Sequence, residues 1–71
     1  MEVRKDLCVE ISCYLRNSKR KKIRFKDYCR INHIDKMTEQ ATLKVAIMSS
    51  SLLSFTYSRI NNTIEMIIML Q

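Results

Sequence analysis

Eight of the 13 Lys and Arg residues in this 71-residue chain fall in one stretch, RNSKRKKIRFKDYCR, which contains a single acid, Asp27. They are Arg16, Lys19, Arg20, Lys21, Lys22, Arg24, Lys26 and Arg30. The rest of the chain carries five bases against six acids, so the formal net charge of +6 is gathered in one place. A focused positive patch attracts polyanions, and bases that neutralise backbone phosphates release condensed counterions. The stretch therefore reads as a sequence-independent nucleic-acid anchor, with a solvated basic turn as the competing reading. Phe25 and Tyr28 interleave with the charge but suit core positions equally well.

The thiols and the one imidazole are the other groups with chemistry to offer. Cys8, Cys13, Cys29 and His33 form the string C-x4-C-x15-C-x3-H, four soft ligands that raise the question of a zinc site. Zinc knuckles place their cysteines on tight turns at C-x2-C spacing. Cys8 and Cys13 instead sit in a helical pattern, where five residues turn a side chain about 140° around the axis. Buried structural thiols are the expected role, and no metal or cofactor is assigned. An odd number of cysteines also leaves at least one thiol free, unlike a secreted disulfide framework. His33 is four residues from Cys29, yet a lone His in a turn more often caps or faces solvent, so no catalytic residue is assigned and the chain is expected not to be an enzyme. Gly and Pro are both absent. Glycine-rich phosphate loops and dinucleotide fingerprints are thereby excluded, and reversals must be made by Asn, Asp, Ser and Lys.

Hydrophobic residues make up 46% of the chain and charged residues 28%, the balance of a folded protein. Its length suits one domain, which buries roughly 60% of the surface of the unfolded chain. The longest uncharged stretch, Val45 to Ser58, is broken by Ser49, Ser50, Ser51 and Ser54. It falls short of the roughly 20 apolar residues that a membrane span needs. Met1 is followed by alternating charged and apolar residues without a signal-peptide core, so a cytoplasmic location away from membranes is expected.

Periodicity places the elements. Val3, Leu7, Ile11, Tyr14 and Leu15 recur at helical intervals and predict a helix over 2–17, closed by Asn17 and Ser18. Lys19 to Lys22 should form a turn, Ile23 to Phe25 a short strand, and Lys26 to Ile31 a short helix with Phe25, Tyr28, Cys29 and Ile31 inward. Asn32 to Asp35 reads as a turn. A third helix is expected from Lys36 to Leu53, capped by Asp35 or Thr38, with Ala41, Val45, Met48 and Leu52 as its buried stripe. Leu43 and Ile47 fall on another sector and suggest a wide buried face or a second contact surface. Beyond it the period changes to two, and Asn61-Asn62 predicts a hairpin pairing Tyr57 with Met66, Phe55 with Ile68, Ser58 with Glu65 and Ser54 with Met69. That register puts Phe55, Tyr57, Ile64, Met66, Ile68 and Leu70 on one side and turns Ile67 and Met69 outward on an edge strand. A helix over Ile64 to Leu70 is the alternative.

Helix, short strand, helix, turn, helix and hairpin is the element order of the winged-helix superfamily, which the chain resembles over nearly its whole length. The expected fold class is accordingly α+β and winged-helix-like, with three helices, a short strand and a C-terminal β-hairpin. The resemblance implies that the third helix enters a major groove, with Lys36, Thr38, Gln40, Thr42 and Lys44 as candidates for base edges, and that the hairpin tip from Arg59 to Asn62 is the wing. That helix contains Glu39 and no Arg, so contacts to phosphates should outweigh base readout. Two functional classes follow. One is a regulator or architectural factor that binds double-stranded DNA, pairing as a homodimer. The other is a subunit of a nucleic-acid-processing assembly that meets its protein partner through the C-terminal strand at Ile67 and Met69, because a strand apolar on both faces is an association surface unless covered; a homodimer through that strand or through Leu43 and Ile47 would suit either class.

Overall fold

The computed structural model describes residues 5–71, and Glu2 and Val3 lie outside that range. Six elements follow in order: α1 (Lys5–Asn17), β1 (Lys22–Arg24), α2 (Phe25–Asn32), α3 (Lys36–Met48), β2 (Leu53–Ile60) and β3 (Thr63–Leu70). The fold is α+β, with three helices and one three-stranded antiparallel sheet in the order β1-β3-β2.

On α1, Leu7, Cys8, Ile11 and Leu15 fall on one face and are buried. Ser12 shares that face because its hydroxyl donates to the Val9 carbonyl at 2.8 Å, which satisfies it without solvent. α2 begins one residue earlier than expected, at Phe25, and buries Phe25, Tyr28 and Cys29. Ile31, expected inward, is exposed, since the two-turn helix fills its inner face with those three residues. These side chains join Ile23, Leu43, Ala46, Ile47, Leu53, Met66 and Ile68 in one core. Each large aliphatic side chain removed from water there contributes about 1.5–3 kcal/mol.

α3 departs most from expectation. Its buried residues are Leu43, Ala46 and Ile47, whereas Val45 is 54% and Met48 72% exposed. The helix has two apolar sectors, and periodicity finds both without choosing between them; the packing against α1 and β2 selects the Leu43 side. Leu43 and Ile47 are therefore core and closed to any partner. The helix also stops at Met48 rather than Leu53. Ser49 donates its hydroxyl back to the Ala46 carbonyl at 3.3 Å, and Ser50 Oγ accepts from the Leu52 amide at 3.0 Å, so the serines supply the backbone with non-helical partners. At the other end Asp35 is the cap, accepting from the Met37 amide at 3.0 Å.

The hairpin has the expected register throughout, from Leu53 opposite Leu70 to Ile60 opposite Thr63. β3 is the central strand and not an edge, because β1 pairs with its far side: Lys22 with Met69, Ile23 with Ile68 and Arg24 with Ile67. Lys22, expected in the turn, thus belongs to the strand. Phe55 and Leu70 pack partly buried against the core, while Tyr57 and Ile64, on the same face, are exposed toward the hairpin tip.

Without glycine, the reversals fall on Lys19, His33, Asn61 and Asn62, each at positive φ. After α1, the Arg20 amide reaches the Leu15 carbonyl at 2.9 Å and the Lys19 amide the Arg16 carbonyl at 3.1 Å. This is a Schellman closure with Lys in the left-handed position that usually holds Gly. After α2 the Ile34 amide reaches the Cys29 carbonyl at 3.0 Å over a left-handed His33. Left-handed backbone costs a residue with a Cβ roughly 1–2 kcal/mol, and Gly loses about 0.4–1 kcal/mol more entropy on folding. His33→Gly should therefore raise the unfolding free energy in urea by about 0.5 kcal/mol, with no loss of helicity by circular dichroism.

Candidate nucleic-acid interface

Strand pleating turns alternate residues to opposite faces, so the register sorts the sheet's side chains. Ile23, Met66 and Ile68 face the core, as do Phe55 and Tyr57 by their pairing with Ile68 and Met66. Lys22, Arg24, Glu65, Ile67 and Met69 face the other way, together with Ser54, Thr56 and Ser58. β1 thus gives its one apolar residue to the core and both bases to the outward face.

The remaining bases of the stretch surround that strand. Arg16 ends α1, Lys19, Arg20 and Lys21 form the connection, and Lys26 and Arg30 lie one helical turn apart on α2; all are exposed. Three have carboxylate partners. Arg24 Nε donates to Asp27 Oδ2 at 2.9 Å, and Arg30 reaches the other oxygen of the same carboxylate at 3.3 Å. Lys26 Nζ stands 3.9 Å from Oε1 of Glu65, whose side chain is 7% exposed. Among the described residues no ion pair involves Arg16, Lys19, Arg20, Lys21 or Lys22, which leaves five cations for an external anion.

Arg20, Lys22, Arg24, Thr56, Ser58, Ile67 and Met69 are among the residues that line an open trough of about 450 Å³ on the outward face. Sequence patterning alone does not assign its hydroxyl wall or the organising role of Asp27. The signal for the wall was the alternation of Ser54, Thr56 and Ser58 with Phe55 and Tyr57, read through the hairpin register. Ile67 and Met69, expected to face outward, do so, half-buried, as the floor.

The α3 candidates lie elsewhere. Lys36, Gln40 and Lys44 share a face at four-residue spacing and border a second trough with Met37, Ala41 and Tyr57. Lys44 Nζ sits 5.9 Å from the centre of the Tyr57 ring, within cation–π range. Thr42 is turned away from them and donates its hydroxyl to the Glu39 carbonyl at 3.1 Å. The side chain of Thr38 lies outside the described residues. Because Tyr57 is on the core side of the sheet, this trough is on the opposite side from Lys22 and Arg24. Arg59, paired with Ile64, has the parity of Tyr57 and does not join the basic cluster.

Comparison with known protein families, curated proteins and solved structures finds no match.

The thiols do not converge. Cys8 and Cys29 are buried and Cys13 is exposed. Among the described residues no group of three or more His, Cys, Asp or Glu side chains could hold a metal ion. No helix among them is long and apolar enough to cross a membrane. Burial pushes the Cys29 thiol up to about 11, helped by the nearby Glu39 charge. Burial likewise raises Cys8, with Asp6 adding to it. The thiolate is the nucleophile, so neither buried sulfur is activated.

A raised thiol keeps its proton longer in the folded state than in the unfolded chain, so its stabilising effect is complete below the ordinary value of 9.0 and is lost as pH rises through about 11. Urea titrations should show a loss of about 3 kcal/mol across that window, with a smaller loss in Cys29→Ala. At neutral pH, iodoacetamide followed by mass spectrometry should label Cys13 and spare the other two thiols in the folded protein.

Proposed function

We propose that this chain is a small nucleic-acid-binding protein of winged-helix type that grips double-stranded DNA mainly through its phosphates. One observation carries the proposal: five exposed cations with no acid partner among the described residues, Arg16, Lys19, Arg20, Lys21 and Lys22, gathered from the last turn of α1 through the connection to the start of β1. The element order, with the third strand between the other two, supports the winged-helix reading.

The chemistry of α3 favours an architectural role over sequence-reading regulation. In a winged-helix protein this helix would meet base edges, where Arg, Lys, Asn and Gln carry the discriminating hydrogen bonds. Its outward face here offers Met37, Ala41, Val45 and Met48, with Lys36, Gln40 and Lys44 as the polar groups. Met37 is 86% exposed and has no donor to give.

The same face favours a second reading, a subunit of a larger assembly or of a homodimer. Unbranched methionines adapt to varied surfaces, and contiguous exposed apolar side chains mark contacts. In that arrangement the basic strand would hold the polymer while α3 meets the partner from the other side of the sheet. Leu43 and Ile47 have no part in it, being core.

If four to five cations touch phosphates, log K for a generic duplex should fall against log salt with a slope of about −4. Replacing Lys19, Arg20, Lys21 and Lys22 with Glu should abolish binding and leave the circular dichroism spectrum unchanged. A slope near zero, or a charge-reversed variant that binds as before, defeats the proposal.

A further inference from the structure

A pure phosphate anchor has no use for an apolar floor, yet the outward face of the sheet has one. Its cross-strand rows run base, aliphatic, hydroxyl: Lys22, Met69 and Ser54 in one row, Arg24, Ile67 and Thr56 in the next. Strands lie about 4.8 Å apart, so the basic and hydroxyl columns stand about 10 Å from each other with Ile67 and Met69 between them. Arg20 lengthens the first column and Ser58 the second, while the middle column ends at Glu65, opposite Ser58, a buried carboxylate that faces Lys26. Lys22 and Arg24 are two residues apart on one face, about 7 Å along the strand, which is close to the phosphate repeat of an extended nucleic-acid strand. Asp27 takes Arg24 through Nε, which fixes the guanidinium and leaves donors on both Nη nitrogens.

A duplex presents phosphate and sugar to such a surface, because its base faces are stacked on one another. An unpaired strand presents phosphate and an apolar base face side by side. We propose that the outward face of the sheet is a site for single-stranded nucleic acid. The backbone follows β1 across Arg20, Lys22 and Arg24, the bases lie on Ile67 and Met69, and Thr56 and Ser58 bond sugar or base edges. The site rests on the nucleic-acid reading above and adds to that phosphate grip on a duplex a tighter hold on an unpaired strand. An aliphatic floor accepts any base, so binding is tolerant of sequence.

Fluorescence anisotropy at low salt, with a labelled single-stranded DNA of mixed sequence and the same strand annealed to its complement, tests the site on the full chain. The single strand should bind more tightly than the duplex. Ile67→Thr combined with Met69→Thr keeps the strand β-favoured and uncharged. It should weaken the single strand about tenfold and leave the duplex within about twofold. Ile67→Phe, which supplies an aromatic platform, should tighten the single strand, and as a gain it does not depend on the stability of the double variant. If neither variant changes the ratio of single-strand to duplex affinity, the trough is not the site, and salt-dependent duplex binding would leave the phosphate anchor standing. If wild-type protein binds neither probe, the nucleic-acid reading and this inference fall together.

Discussion

Three residues of β1 laid antiparallel against the end of β3 hold the charge of this molecule in place. The pleat sends Ile23 into the core against Ile68 and turns Lys22 and Arg24 to solvent, so one short strand serves stability and display together. Strands this short have little stability of their own. β1 relies on what flanks it: a closed turn on one side, with the Leu70 amide bonding the Lys21 carbonyl at 2.9 Å, and α2 starting at the next residue on the other. Unpaired, the same bases would be a solvated loop with no fixed spacing.

Two carboxylates shape the basic surface. Asp27 spans Arg24 and Arg30, and Glu65 sits beneath Lys26. The Asp27 pairs, with Arg24 and Arg30 exposed, contribute about 0–1 kcal/mol each, so their main effect is positional. They restrain the α2 side of the surface and leave the cations of the preceding turn to move. Charge is thereby graded from fixed, at Arg24, Lys26 and Arg30, to unpaired among the described residues, from Arg16 to Lys22.

Local chemistry was the legible part of the chain. The period of α1 identified its buried face, and the Asn61-Asn62 pair identified the hairpin with every cross-strand partner, because Asn tolerates the positive φ that a two-residue turn demands. What the sequence did not disclose depended on distant contacts. The pairing of β1 with β3 joins residues far apart in the chain, and nothing in Ile23 or Arg24 names that partner. The buried sector of α3 is ambiguous in sequence because Val45 and Met48 are as apolar as Leu43 and Ile47, and only the surfaces of α1 and β2 distinguish the two. The same gap hid the burial of Glu65 beside Lys26 of α2, and the trough, whose walls belong to strands that are not neighbours in sequence.

The β1–β3 pairing also sets the order in which the chain can assemble. The helices and the hairpin close over short separations, on timescales of about microseconds. Joining Ile23 to Ile68 requires a loop that spans α2, α3 and β2, and the entropy of that closure is spent before the contact returns anything. With no proline anywhere in the sequence, no prolyl isomerisation stands between the collapsed chain and its native state. Docking of the basic strand is thus one of the costly long-range closures, and the charged face takes its fixed spacing only with it.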